Sequence, residues 1–129
     1  MITIRTIGPS EYDSAKDFIK KVFPNAMVRV SDDDTIIFAE AGGKPVGFAH
    51  MVDDSDRLIL QGLGVDDSAR GQGIGTILLE YVISMFDDGV RPIYLKVKVM
   101  NPVIDLYLRY GFFLKKFGHS HVLVKKINS

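Results

Sequence analysis

The stretch LGVDDSARGQGIGTILLEYV, residues 63–82, decides how the chain is read. A strand-like run gives way to a polar loop, then to glycines at the alternate positions 71, 73 and 75, where a helix has to begin. From there Ile74, Ile77, Leu78, Tyr81, Val82 and Met85 recur at helical spacing and make the clearest helix in the sequence. A glycine inside a helix costs about 1 kcal/mol relative to alanine, so these need a reason. A helix N-terminus exposes unpaired N–H groups and the positive end of the helix dipole, and glycine lets an anion reach that backbone without meeting a Cβ. The stretch therefore predicts a strand, a phosphate-holding loop with Arg70 as a charged fork beside it, and a helix.

Working outward, MITIRTI (1–7) alternates as a strand. GPSEYDSAKDFIKKVFPN (8–25) reads as a helix with Ser10 at its N-cap, Tyr12, Ala15, Ile19, Val22 and Phe23 on one face, and Pro24 as its stop. NAMVRVSDDD (25–34) is open between a short helix and a loop. TIIFAEAGGKPVGFAHMV (35–52) reads as two strands around Gly42-Gly43, and RLILQGLGV (57–65) as a third after the acidic turn Asp53-Asp54-Ser55-Asp56, giving an antiparallel meander. Downstream, RPIYLKVKVM (91–100) alternates as a strand, and because a helix joins it to the strand before, the two should run parallel. NPVIDLYLRYGF (101–112) has Asn101 as N-cap, Pro102 at the first helical position, a face of Val103, Leu106, Tyr107 and Tyr110, and Gly111 as C-terminal stop. FFLKKFGHSHVLVKK (112–126) reads as a hairpin turning near Gly118-His119. The order β-α-β-β-β-α-β-α-β-β is an α/β fold on a mixed sheet, one domain over residues 1–129.

Composition narrows the function classes. With 16 basic and 16 acidic residues the chain has no net charge and no electrostatic footprint for nucleic acid. The charge is unevenly placed: residues 1–90 hold 8 Lys and Arg against 15 Asp and Glu, and residues 91–129 hold 8 against 1, so the two parts carry −7 and +7. No cysteine is present, which excludes disulfides, thiolate metal sites and a cysteine nucleophile. MITIRTIGPS has no long apolar core and no run approaches the roughly 18 apolar residues of a membrane span, so a cytoplasmic protein with no membrane partner is expected.

Three phosphate-binding patterns compete for the glycines. A P-loop needs Lys followed by Ser or Thr after its second glycine, and GQGIGT supplies neither. A dinucleotide fingerprint needs a third glycine where Thr76 stands, in a βαβ unit near the N-terminus. The pattern Arg/Gln-x-x-Gly-x-Gly/Ala is matched in full by Arg70, Gly73 and Gly75. With the element order, and with Tyr107 followed by Gly111-Phe112 at the end of the last helix, nearly the whole chain resembles the GCN5-related N-acetyltransferase (GNAT) superfamily. The resemblance implies a GNAT fold: a mixed central sheet with an antiparallel meander, two splayed parallel strands and a C-terminal hairpin, flanked by helices.

It also implies a function. Acetyl-CoA would give its acetyl group directly to a primary amine of a small-molecule or peptide acceptor, and relatives often form homodimers. The alternative is a non-catalytic acyl-CoA-binding or regulatory module on the same fold. By resemblance, Leu63, Gly64 and Val65 lie along the pantetheine, with Leu63 and Val65 bonding it through main-chain groups. Arg70 and the N–H groups of Gly71, Gln72, Gly73, Ile74, Gly75 and Thr76 hold the pyrophosphate, and Asn101, primarily a helix cap, lies beside the cofactor. Gly62 and Gly64 are costly in a plain strand and fit one that bulges against a ligand. Tyr107 sits where the family often has a tyrosine whose hydroxyl protonates the departing sulfur. The same residue also fits the buried face of an amphipathic helix.

An amine with a pKa near 10.4 is protonated at neutral pH, so a proton acceptor is needed. RLILQGLGV has no carboxylate, leaving Gln61, through a water, and His50, Glu40 and Asp53 as candidates by type. His50 in an apolar strand reads first as a satisfied buried histidine. The H-x-H pair His119 and His121 has no third ligand, so no metal is expected. In the meander, the turns carrying Asp32 to Asp34 and Asp53 to Asp56 fall at the end of the sheet opposite the glycine loop. There they would form an acidic rim attracting a cationic acceptor.

Overall fold

A computed structural model describes residues 1–25, 27–54, 56–86, 91–98, 104–116 and 120–125. The described chain runs β1 (Ile2–Ile7), a 3-10 turn at Pro9–Glu11, α1 (Tyr12–Val22), β2 (Thr35–Ala41), β3 (Lys44–Asp54) and β4 (Arg57–Val65). A second 3-10 turn at Asp67–Ala69 leads to α2 (Ile74–Phe86), then β5 (Ile93–Lys98), α3 (Ile104–Arg109), β6 (Phe112–Lys116) and β7 (Ser120–Lys125). The strands form one seven-stranded sheet in the order β1-β2-β3-β4-β5-β7-β6. Every neighbouring pair is antiparallel except β4 and β5, the pair joined through α2.

Each face of the sheet has its own core. On one face α1 lays Tyr12, Ala15, Phe18 and Ile19 against Ile36, Phe38 and Phe48. On the other, α2 lays Ile74, Leu78, Leu79 and Val82 against Ile37, Ala49, Met51, Leu58 and Leu60, joined by Tyr107 and Phe112. Alternation along β2 and β3 sends Ile36 and Phe48 one way and Ile37 and Ala49 the other, so both strands are apolar on both sides.

Two expectations need correcting, and one left open is decided. Ser10 does not cap α1: the chain enters through the 3-10 turn, Glu11 occupies the N-cap without a side-chain cap bond, and its carboxylate pairs with Arg5 at 2.9 Å. The buried face of α2 includes Leu79, while Ile77 is 40% and Met85 48% exposed. The helix is apolar nearly all round, so periodicity alone fixes its rotation poorly. Among the described residues between α1 and β2 there is no helix, which decides the open choice over 25–34 for a loop. Val28 and Val30 pack against the α1 core, and a turn closed by Asp34 N–H donating to the Ser31 carbonyl delivers the chain to β2.

Candidate active site

The opening between β4 and β5 can be derived from register. The strands pair over Leu58↔Ile93, Ile59↔Tyr94 and Leu60↔Leu95, and there the pairing ends, although β4 continues to Val65. Against β3, Met51 lies opposite Leu60 and His50 opposite Gly62, so Gln61 is an extra residue, a β-bulge. Before the bulge Leu58 N–H donates to the Pro92 carbonyl, toward β5. After it Asp66 N–H donates to the Val46 carbonyl at 2.8 Å, which puts Asp66, Gly64 and Gly62 in the β3 ladder. The N–H and C=O groups of Leu63 and Val65 then point to the β5 side, where among the described residues no strand meets them. Val65 shows this directly, since its carbonyl accepts from Arg70 Nε at 3.3 Å.

The two glycines of β4 have another cause than the ligand contact expected. A Cβ on Gly64 would lie 2.7 Å from Phe23 Cε2 and 2.8 Å from Val22 Cγ1, and one on Gly62 would lie 3.1 Å from Phe48 Cε2. Phe23 and Phe48 stack edge to face at 5.9 Å, so aromatic rings from the α1 side occupy the space that side chains at 62 and 64 would take.

The loop glycines behave differently. Gly71 and Gly73 have φ of 80° and 76°, the left-handed region that favours glycine, and a Cβ on either would meet nothing within 4 Å. The backbone there is therefore open to an approaching group. Ile77 N–H donates to the Gly73 carbonyl at 3.1 Å, making Gly73 the N-cap and leaving the first-turn N–H groups of Ile74, Gly75 and Thr76 without helical partners. Ile74 is buried and anchors the turn, while Gly71 to Gly73 are exposed, and no acidic residue sits in the first turn. Arg70 stands beside this rim with its guanidinium between Val65 O and Asp67 Oδ1, the latter at 3.0 Å. Asp66 turns away from the loop; a hydrogen bond from Ser68 and the nearby Lys21 ammonium hold its carboxyl below the usual range.

Tyr107 lies in α3 with its ring edge-on to Phe112 at 5.8 Å and 5% of its surface exposed. Burial pushes its hydroxyl up to about 12, and among the described residues that hydroxyl has no hydrogen-bond partner. A buried donor without a partner costs about 1–3 kcal/mol. Asn101, Pro102, Val103 and the turn at Gly118-His119 lie outside the described residues. Among the described residues no cluster of three or more His, Asp or Glu could hold a metal.

The candidates for proton acceptor separate. Glu40 is held by Arg5 at 3.0 Å and Asp53 by Arg91, and Gln61 sits exposed at the bulge. His50 is 4% exposed, with Nε2 2.8 Å from Asp34 Oδ2. The acidic rim does not survive as drawn, because Asp34 is buried against His50 and Asp53 is neutralised by Arg91. Sequence reasoning missed the His50–Asp34 pair. The Gly42-Gly43 turn folds β2 back on β3 and sets Ile36 opposite His50, so Asp34 reaches the imidazole diagonally from two residues before that pair.

A parallel pair that parts after three residues, followed by a left-handed glycine loop capping a helix, defines a class of acyl-carrier-binding folds, and comparison gives the family. Residues 5–112 match the model of the acetyltransferase (GNAT) family, and the chain belongs to it. The ribosomal-protein-S18-alanine N-acetyltransferase of Escherichia coli is similar at 20% identity over 100% of this chain and 97% of that one, with a TM-score of 0.80. The PaiA N-acetyltransferase of Thermoplasma acidophilum, solved in complex with coenzyme A, is similar at 18% identity over 98% and 99%, TM-score 0.76. Arabidopsis thaliana NAA60, solved with a bisubstrate analogue, is similar at 22% identity over 99% and 100%, TM-score 0.73. No curated protein matches the chain in sequence. At these identities the structures establish the fold, and the family makes the protein an acyl-CoA-dependent N-acetyltransferase that uses coenzyme A as its acyl carrier. Among the described residues no helix is long and apolar enough to cross a membrane.

Proposed function

We propose that the protein moves an acetyl group directly from acetyl-CoA to a primary amine of a small molecule or peptide. The observation that carries this is a continuity of main-chain groups that no described strand pairs. Leu63 and Val65 direct theirs into the gap beyond Leu60↔Leu95, and the glycine loop and first turn of α2 follow immediately in the chain. A long donor with a diphosphate at one end and an amide-bearing arm at the other fits that line. Gly71, Gln72, Gly73, Ile74, Gly75 and Thr76 offer N–H groups to the diphosphate and Arg70 a guanidinium fork. Leu63 and Val65 pair with the arm as a missing strand would and Gly64 lies beneath it; the role of Asn101 beside the cofactor rests on the family resemblance alone.

Acetyl-CoA supplies an activated acyl group as a thioester. Tyr107 supplies a proton to the departing sulfur: its hydroxyl is buried, has no partner among the described residues and holds its proton throughout the physiological range. Direct transfer agrees with the absence of cysteine.

Calorimetric titration with CoA tests the binding half, expecting a saturable heat and an affinity that Gly73→Ala weakens at least tenfold. Thiol release from acetyl-CoA across an amine panel, with wild type and Tyr107→Phe, tests the catalytic half. Binding without turnover of any amine would leave a carrier-binding module and refute the transferase reading.

A further inference from the structure

We propose that His50, oriented by Asp34, takes the proton from the acceptor amine through a bound water; the inference rests on the acetyl-transfer reading above. Asp34 is itself fixed: Ser31 donates from its backbone N–H at 3.1 Å and from Oγ at 3.0 Å, and the Tyr12 hydroxyl donates to the Asp34 carbonyl at 2.8 Å. A carboxylate 2.8 Å from Nε2 selects the tautomer that carries its hydrogen there, leaving the lone pair on Nδ1. Among the described residues Nδ1 has no partner, on a side chain 5% exposed. A buried polar atom left in this way is a place for a water or a substrate group.

The position suits the task. His50 lies opposite Gly62, beside the Gln61 bulge and one strand, roughly 4.8 Å, from where β4 and β5 part. Gly62 has no side chain there, and the Phe48 ring lies over it, with Cε2 3.1 Å from where a Cβ would sit. Alternation places His50 on the α1 face with Ile36 and Phe48, whereas Tyr107 belongs to the core on the α2 face. The two proton-handling groups thus stand on opposite sides of the opening. The amine arrives on one side and the sulfur leaves toward the other.

The protons balance. The acceptor ammonium gives one proton through water to Nδ1 of His50, and the freed nitrogen lone pair forms the C–N bond to the thioester carbon. The C–S bond breaks with its electron pair on sulfur, which takes the Tyr107 proton. The nitrogen's second proton returns to the Tyr107 oxygen and His50 gives its proton to solvent, so amide, free thiol and one proton leave. The ionisable group in contact with His50 is Asp34 at the entry to β2; Tyr12 on α1 bonds the Asp34 carbonyl, Asp32 in the preceding turn acts on Tyr12, and Gly62 on β4 adds none.

The test compares wild type, His50→Asn, His50→Gln and Asp34→Asn. Acetyl-CoA is the donor, a panel of primary amines, water and hydroxylamine are the acceptors, and the range is pH 5.5–9.5. CoA affinity should stay within about twofold, since neither residue touches the carrier, while kcat with ordinary amines falls about 100-fold near neutral pH and the remaining rate climbs with pH as the free-base fraction of the amine does. Hydroxylamine, neutral at pH 7, should keep most of its rate. A wild-type imidazole protonated at Nδ1 rather than Nε2 by nitrogen NMR, or a pH profile unchanged from wild type in a folded His50 variant, would each overturn the proposal. Failure of wild type to bind CoA, or binding without turnover of any amine, would instead refute the acetyl-transfer reading beneath it.

Discussion

Gly64→Ala tests whether the β4 glycines answer to protein packing. The new Cβ would sit 2.7 Å from Phe23 Cε2, 2.8 Å from Val22 Cγ1 and 2.9 Å from Phe23 Cζ, closer than real contacts allow. Overpacking of this kind costs about 1–3 kcal/mol, and Phe23, 39% exposed at the end of α1, can yield part of the way. Against that, alanine restricts the unfolded chain and returns about 0.4–1 kcal/mol where the backbone tolerates it, leaving a net loss of roughly 0.5–2.5 kcal/mol. At about 2.1 cal/mol/K per residue over 129 residues, the unfolding entropy near the midpoint is about 0.27 kcal/mol/K, so Tm should fall by roughly 2–9 °C in calorimetric melts. In a Val22→Ala/Phe23→Ala background all three close atoms are gone, and the same substitution should become stabilising by about 0.4–1 kcal/mol. A Gly64→Ala loss of equal size in both backgrounds would show that something other than these side chains requires the glycine.

Gly73→Ala should do the reverse: its Cβ meets no protein atom, so the loss is the backbone strain of a φ near 76°, about 1 kcal/mol in melts, while CoA affinity by calorimetry falls at least tenfold. Arg70→Gln, at a site 61% exposed, should change stability by less than about 0.5 kcal/mol yet weaken CoA binding severalfold, with a shallower salt dependence of affinity. Tyr107→Phe should melt no lower than wild type, because it removes an unpartnered buried hydroxyl, while kcat drops about tenfold or more. Tyr107's pKa is raised on folding to about 12, so between about pH 10 and 12 the unfolded state loses a proton the native state keeps. Stability should therefore decline with rising pH there in wild type and less in Tyr107→Phe, followed by chemical denaturation. For Asp34 the sign is opposite: burial opposes its ionisation, but hydrogen bonds from His50 and Ser31 outweigh it and depress its pKa, so its contribution is present above the ordinary Asp range and is lost on acidification below it, a loss Asp34→Asn should abolish.

Most elements were legible because their periods differ. Strict alternation marked β1 and β5, the Gly42-Gly43 turn with φ of 59° and 80° marked the β2–β3 hairpin, and a helix between β4 and β5 forced them parallel. The site was legible where it is made of backbone, since positive φ at 71 and 73 leaves a glycine signature. What stayed hidden depends on register. The Gln61 bulge has no composition signal, and a second irregularity between Ala39 and Glu40 offsets the β2–β3 pairing by one residue, so the level at which Asp34 meets His50 could not be counted from the turn. The rotation of α2 was misjudged for a related reason: with Ile77 and Leu79 equally apolar, only the sheet beneath decides which is buried.

The bulge, the glycines and the aromatic rings are one device. Without Gln61 as an extra residue, the alternation set by Leu58 and Leu60 would carry on to residues 62 and 64, turning their main-chain groups toward β5 and their side-chain positions toward α2. Leu63 and Val65 would then face α1, where Val22, Phe23 and Phe48 already fill the space. With the bulge in place Leu63 and Val65 join Leu58 and Leu60 on the α2 side, their N–H and C=O groups open into the gap, and positions 62 and 64 fall under the rings, where only glycine fits. One inserted residue therefore explains both why β4 stops pairing with β5 in a form a carrier arm can use and why its sequence reads Gln-Gly-Leu-Gly-Val. It also sets His50 level with the point of parting, since the register shift falls between His50 and Met51.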